Sequence, residues 1–218
     1  MVDDAGSPAS EGQSVLCLPG EERFGRFSSF FYTRFGRPWL RRLHRFALDR
    51  VVQEARKLNP ATILDLGSGP GWVSCRVAME LPDVKVCLVD PSSYMLKSAQ
   101  KLVREQGLKN VETYLGSSRS LPSHGFDLIF SVLSFHHWAD QSDSLRNVYN
   151  HLSGERFMVF EYNRDRLPFY MRVARGHSMR PGSLEELARG SLFSGLQLEY
   201  SGPCLLANFL KGRVSAQP

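Results

Sequence analysis

Between Pro60 and Tyr162 short apolar runs alternate with stretches of helical period, and that alternation constrains the fold more than any other feature of the chain. Strands that are apolar on both faces must be covered on both, so such strands separated by helices predict a parallel sheet between two helical layers. The expected elements are strand TILDLG, a helix from Trp72 to Leu81, strand KVCLVD, and a helix from Ser92 to Gln106 closed by Gly107. Strands VETYLG and FDLIFSVLSF, a helix from about Asp140 to Leu152, and strand RFMVFEY follow. After a helix around SLEELARG, the runs LQLEYSG and CLLANFLKG are joined by Gly-Pro alone. That link is too short for a parallel crossover and predicts an antiparallel hairpin. The fold class is therefore α/β: a doubly wound, seven-stranded, mostly parallel sheet with an antiparallel last strand.

A chain of 218 residues suits one domain. Residues 1–20, rich in Gly, Ser, Pro and acids, read as a mobile tail. Residues 21–58 read as a helical cap, because Trp39, Leu40, Leu43, Phe46, Ala47, Val51, Ala55 and Leu58 recur at helical spacing. Residues 59–213 hold the alternating elements and form the ligand-binding domain. No window carries the roughly 18 apolar residues of a membrane span, so a soluble, cytoplasmic protein is expected. Cys17, Cys75, Cys87 and Cys204 lack metal-site spacing and read as small buried hydrophobes in a reducing compartment.

The stretch ILDLGSGPGW, Ile63 to Trp72, ends a strand in alternating glycines. In an open parallel sheet ligands sit beyond the carboxyl ends of the strands, where Gly67, Gly69 and Gly71 fall. Their spacing is not that of the dinucleotide fingerprint, and Pro70 removes an N–H that a pyrophosphate loop would use, which favours a ligand without phosphate. Asp90 ends the next strand and is placed to accept hydrogen bonds from both hydroxyls of an unphosphorylated ribose. Each residue also has a plainer role: glycines serve turns, and an Asp at this position can cap the following helix.

These pieces, with VCLVDPSSYML, LGSSRSLP ahead of FDLIFSVLSFHHW and the closing antiparallel strand, resemble the class I S-adenosylmethionine (SAM) methyltransferases. The resemblance covers about residues 59–213 and points to the small-molecule subgroup that includes the ubiquinone and menaquinone biosynthesis enzymes. It implies the Rossmann-like methyltransferase fold, SAM as cofactor, and methyl transfer as the activity. It further implies that Gly67, Ser68, Gly69 and Gly71 wrap the methionine part of SAM and that Asp65 orients its amino group. Asp90 would bind the ribose and Pro91 and Met95 the adenine; Ser117, Ser118 and Ser131 complete the cofactor contacts. Two departures stand out. Ser117 replaces an acid common in the family, and LSGER, Leu152 to Arg156, replaces a Pro-Gly-Gly turn, so altered loop geometry is expected there.

Methyl transfer from a sulfonium needs alignment and desolvation, with a base only where the acceptor must lose a proton. His136 and His137, in SFHHW after the fourth strand, are the candidate catalytic residues; on an extended segment at most one of them should face the acceptor. Two neighbouring histidines without a third ligand at motif spacing argue against a metal site. Segments 21–58 and 162–180 carry net charges of +6 and +4 in a chain of +5, which leaves −5 for the rest. Both mix arginine with aromatics, a combination that suits anionic, partly flat ligands. Tyr32, Arg41, Trp138, Glu161, Tyr162 and Arg164 are the candidate acceptor contacts. The expected function is thus methyl transfer to a small or lipid-like anionic acceptor. The alternatives are an RNA methyltransferase, whose basic segments track phosphates, and a methyltransferase-like scaffold without catalysis.

Overall fold

The computed structural model describes residues 37–212, so the tail 1–20, Cys17 and Tyr32 lie outside the described residues. Helix α1 spans Arg37–Leu58. Its apolar spacing is realised: Leu43, Ala47 and Val51 are fully buried, and Arg56 and Lys57 in the last turn complement the negative end of the helix. Asn59, with φ 49°, turns the chain out of α1 toward the sheet.

Strands β1 (Thr62–Leu66), β2 (Lys85–Asp90), β3 (Val111–Leu115), β4 (Phe126–Val132) and β5 (Leu152–Asn163) alternate with α2 (Trp72–Glu80), α3 (Ser93–Glu105) and α4 (Gln141–His151). A two-residue β6 (Ser178–Met179), α5 (Pro181–Arg189), β7 (Gly195–Ser201) and β8 (Cys204–Leu210) complete the described chain. The strands lie in the order β3-β2-β1-β4-β5-β8-β7, parallel through β5, with β8 antiparallel to both β5 and β7. β6 is additional to the seven expected strands; it pairs in parallel with Tyr162 and Asn163, past the last β4 pairing at Val132–Phe160.

Alternating side chains divide between the two faces. Ile63, Leu88, Leu128 and Phe160 pack with α1 and α2, while Leu64, Val89, Ile129 and Val159 pack with Leu145 and Val148 of α4 and Leu184 of α5. Cys75, Cys87 and Cys204 are free and buried in these layers, as small hydrophobes. Helix starts follow local chemistry. The Ser92 hydroxyl caps α3 by accepting from the Met95 N–H at 3.4 Å, Asp140 caps α4, and Pro181 opens α5.

Two local expectations are corrected. The fourth strand stops at Val132 rather than running through Phe135, because Leu133 takes φ 52° and bends the chain into a 3₁₀ turn, Phe135–His137. LSGER is no loop: it begins β5, with pairing to β4 interrupted between Leu152 and Arg156. Gly154 lies so close to Asp127 there that a Cβ would stand 1.8 Å from its carbonyl oxygen.

Because Leu43 has no exposed surface where α1 meets the sheet, Leu43→Ala is expected to lower stability by roughly 2–5 kcal/mol in urea denaturation. A loss under about 1 kcal/mol would mean that α1 is not part of the cooperative core.

Candidate active site

The sheet order reverses at β1, between β2 and β4, and a cleft opens beyond the carboxyl ends of these strands. Its floor is the glycine loop. Gly67, Gly69 and Gly71 all have positive φ, 78°, 55° and 77°. At Gly67 the conformation is doubly required, since a Cβ would meet the Ser134 hydroxyl at 1.8 Å. The Trp138 indole N–H donates to that same hydroxyl at 3.3 Å, so Ser134 joins the glycine loop to the turn after β4.

Asp90 holds the loop from the other side. Its Oδ2 accepts the Gly69 N–H at 2.8 Å and its Oδ1 the Ser92 N–H at 2.8 Å. The plainer capping role is therefore real, yet a carboxylate offers about four acceptor positions and two remain. Burial pushes Asp90 up to about 6, against the bonds from Ser92 and Gly69. Asp65 is deeper: Oδ2 accepts the Ser74 hydroxyl, while Oδ1 and the Ser68 hydroxyl are buried without a hydrogen-bond partner among the described residues. Burial raises Asp65 to about 7, with the Ser74 bond opposing and the Asp90 charge adding to the rise. Two desolvated carboxylates in one cleft disfavour a phosphate-bearing cofactor and favour a cationic one. SAM, with an ammonium and a sulfonium, fits these residues.

Pro91, Met95, Ser117 and Ser118 line the same cleft. The Ser117 hydroxyl accepts from the Arg119 N–H at 3.3 Å, the Ser118 hydroxyl pairs with Ser144 at 2.8 Å, and the Ser118 carbonyl accepts from Asn147 at 2.9 Å. Ser131 is not brought to the cleft. It is fully buried within β4, and Ser134 lines the cleft in its place because Leu133 has already turned the chain.

Of the histidines, His137 lines the cleft and His136 does not. The two rings do not point opposite ways as an extended segment requires, since the 3₁₀ turn sets their centroids 3.9 Å apart. Burial, with the charges of His136 and His177, pushes His137 down to about 3, which leaves it neutral and a weak base. His136 stands on Glu161, which is fully buried in β5: Nδ1 lies 2.9 Å from Oε2, and the His136 backbone N–H donates to Oε1 at 3.2 Å. Glu161 thus lies behind the cleft wall rather than on it, and Tyr162 is buried in the core and does not line the cleft. Trp138 does line the cleft. Arg41 is exposed on α1 and Arg164 bonds the Arg175 carbonyl at 2.7 Å; neither lines the cleft. Other basic-segment arginines are engaged likewise, Arg50 with Glu199 and Arg166 over the Tyr200 ring at 4.4 Å.

Sequence reasoning missed His44, Trp72 and Ser134, which line the cleft. His44 was detectable: Leu40, His44, Ala47 and Val51 fall on one helical face, so an imidazole sits among buried positions. Burial lowers it to about 4.

Comparison with known proteins agrees with this geometry. Residues 63–154 match the family described as "Methyltransferase domain". The chain is 32% identical over 114 residues to demethylmenaquinone methyltransferase of Thermotoga maritima, covering 49% of this chain and 48% of that one. It is 28% identical over 164 residues to the uncharacterized methyltransferase YcgJ of Bacillus subtilis, covering 70% of this chain and 63% of that protein. The chain thus spans about half to under two thirds of these relatives' length. The plantazolicin methyltransferase BpumL, solved with S-adenosylhomocysteine (SAH), has the same fold, with TM-score 0.67 at 18% identity over 86% of this chain and 90% of that one. Residues 63–154 are thus similar to the methyltransferase-domain family, and the chain has the fold of the SAH-bound methyltransferase BpumL.

The raised Asp65 carboxyl gives a signed expectation. A ligand ammonium pairs with the ionised form, and below about pH 7 that form must first be made by losing a proton, so affinity rises with pH and levels off above 7. Calorimetric titration should give a Kd for SAH roughly tenfold weaker at pH 6 than at pH 8, and Asp65→Asn should weaken binding and flatten the profile between these points. A wild-type Kd indifferent to pH would contradict an ammonium at Asp65.

Proposed function

We propose that the chain transfers the methyl group of SAM to a small, ring-bearing acceptor of the hydroquinone kind. The observation that carries this reading is a single cleft in which two buried carboxylates adjoin a set of flat side chains, His44, Trp72, His137 and Trp138. The relative named for demethylmenaquinone supports the ring. SAM supplies an electrophilic methyl on a sulfonium, whose departure as a thioether needs no proton.

The residues of the chain then bind, align and exclude water. Gly67, Ser68, Gly69 and Gly71 wrap the methionine part, and the unpartnered Asp65 Oδ1 takes the ammonium. Asp90 uses its remaining lone pairs on the ribose hydroxyls, with Pro91 and Met95 against the adenine and Ser117 and Ser118 at its edge. Trp138 and His137 contact the acceptor, while His136 and Glu161 support that wall from behind. The anionic character of the acceptor rests on the net charge of segments 21–58 and 162–180 alone, because the described Arg41 and Arg164 side chains lie off the cleft. Buried free thiols suit a reducing compartment such as the cytoplasm.

The deciding experiment supplies labelled SAM with neutral and anionic hydroquinones, and with RNA, to the purified chain. Label on a hydroquinone is expected, and Asp90→Ala should weaken SAH binding by roughly 10- to 150-fold, the worth of hydrogen bonds to a charged group. Label on RNA alone would replace this acceptor class, and absence of SAH binding would leave a scaffold.

A further inference from the structure

The turn after β4 and the strand pair β5–β6 bring together three histidines that lie far apart in sequence. His136 and His137 come from the 3₁₀ turn, and His177 comes from the end of the segment leading into β6. One donor nitrogen from each lies within 4.8 Å of the other two. His136 Nε2 and His177 Nδ1 are 3.1 Å apart, at hydrogen-bonding distance. Two imidazoles bound to one tetrahedral ion at about 2.0–2.1 Å hold their nitrogens roughly 3.3 Å apart. The pair therefore already stands at the spacing of two ligands, and a ring movement of at most about 1.5 Å would bring the third nitrogen to the same spacing.

The carboxylate behind His136 completes the pattern. Glu161 has no exposed surface, sits in β5 between β4 and β8, and takes both the His136 backbone N–H at 3.2 Å and the ring Nδ1 at 2.9 Å. A buried carboxylate facing Nδ1 keeps the hydrogen there and turns the Nε2 lone pair toward His177, the carboxylate–histidine arrangement that orients and strengthens metal-binding imidazoles. His177, although exposed, is not on a loose tether. The next residue, Ser178, is laddered to Tyr162, and its hydroxyl donates to the Arg175 carbonyl at 2.8 Å. Arg164 donates to the same carbonyl at 2.7 Å. These contacts hold the third ligand over the other two.

We propose that His136, His137 and His177, with Glu161 behind His136, form a site for a divalent transition-metal ion at the wall of the cleft. Three imidazole nitrogens, with no carboxylate in the cluster among the described residues, suit Zn²⁺, Co²⁺ or Ni²⁺ and not Mg²⁺ or Ca²⁺. Three protein ligands leave one position for an exchangeable group, the pattern of open rather than structural sites. His137 lines the cleft and His177 is exposed, so the site spans from the cleft wall to solvent. An ion held by His136, His137 and His177 would supply Lewis-acid chemistry, favouring loss of the proton from an acceptor hydroxyl that reached its open position. That step rests on the methyl-transfer reading; the metal site does not.

The test is a Co²⁺ titration of the untagged full chain, read by calorimetry and by visible absorption, with SAH affinity measured on each variant. One Co²⁺ per chain with the intense bands of four-coordination is expected. Glu161→Gln should weaken binding roughly 10- to 100-fold, the usual effect of losing a partner behind a ligand. His177→Ala, which removes an exposed side chain and should fold normally, should weaken it by more, with SAH affinity kept. His124→Ala, outside the cluster and 3.8 Å from Glu112, should change nothing. Absence of saturable Co²⁺ binding, or binding undiminished in His177→Ala, would overturn the site; intact SAH binding in those same samples would leave the methyl-transfer reading standing.

Discussion

The Asp90 carboxylate is the interaction on which the rest of the cleft depends. A loop with three glycines at positive φ has almost no side chain to hold it, and the backbone must be fixed from outside. One carboxylate does so, tying the Gly69 N–H to the end of β2 and, through the Ser92 N–H, to the first turn of α3. The Ser134 hydroxyl, filling the space a Gly67 side chain would need, fixes the opposite side. With the floor held at both edges, Asp65 stays deep and desolvated, one oxygen taken by Ser74 and the other unpartnered. The cost is two carboxyls near neutral pKa in one cleft, up to about 7 and about 6, a cost that a cationic ligand offsets.

Much of this was legible in the chain because it is encoded locally. Apolar runs of strand length and caps such as Ser92 and Asp140 are properties of neighbouring residues, and they located β1 to β3, α3 and α4 to within a residue or two. The glycine spacing and Asp90 were legible for the same reason. Ser131 was misplaced by a single dihedral: Leu133 at φ 52° ends β4 early, and no propensity scale anticipates a leucine there. Glu161 and Tyr162, expected to contact an acceptor, do not line the cleft, since the sidedness of a strand end depends on what packs against it. His177 was out of reach altogether, being 41 residues from His136, and so spacing alone argued against a metal where the fold assembles three donors.

Charge gives a different lesson. The arithmetic that concentrates positive charge in two segments is sound, but a net charge carries no direction. Arg50, Arg166 and Arg164 of those segments find Glu199, the Tyr200 ring and the Arg175 carbonyl rather than the cleft. An arginine's long stem lets it satisfy its guanidinium at whichever acceptor lies closest, and composition is silent about which that is.

A crystal structure of the chain with SAH tests most directly whether the cleft holds a cationic nucleoside between the Asp65 and Asp90 carboxylates. The ammonium is expected within about 3 Å of Asp65 Oδ1, with both ribose hydroxyls on the Asp90 carboxylate and the adenine against Met95. SAH seated elsewhere, or in the cleft with either carboxylate out of hydrogen-bonding reach, would contradict it.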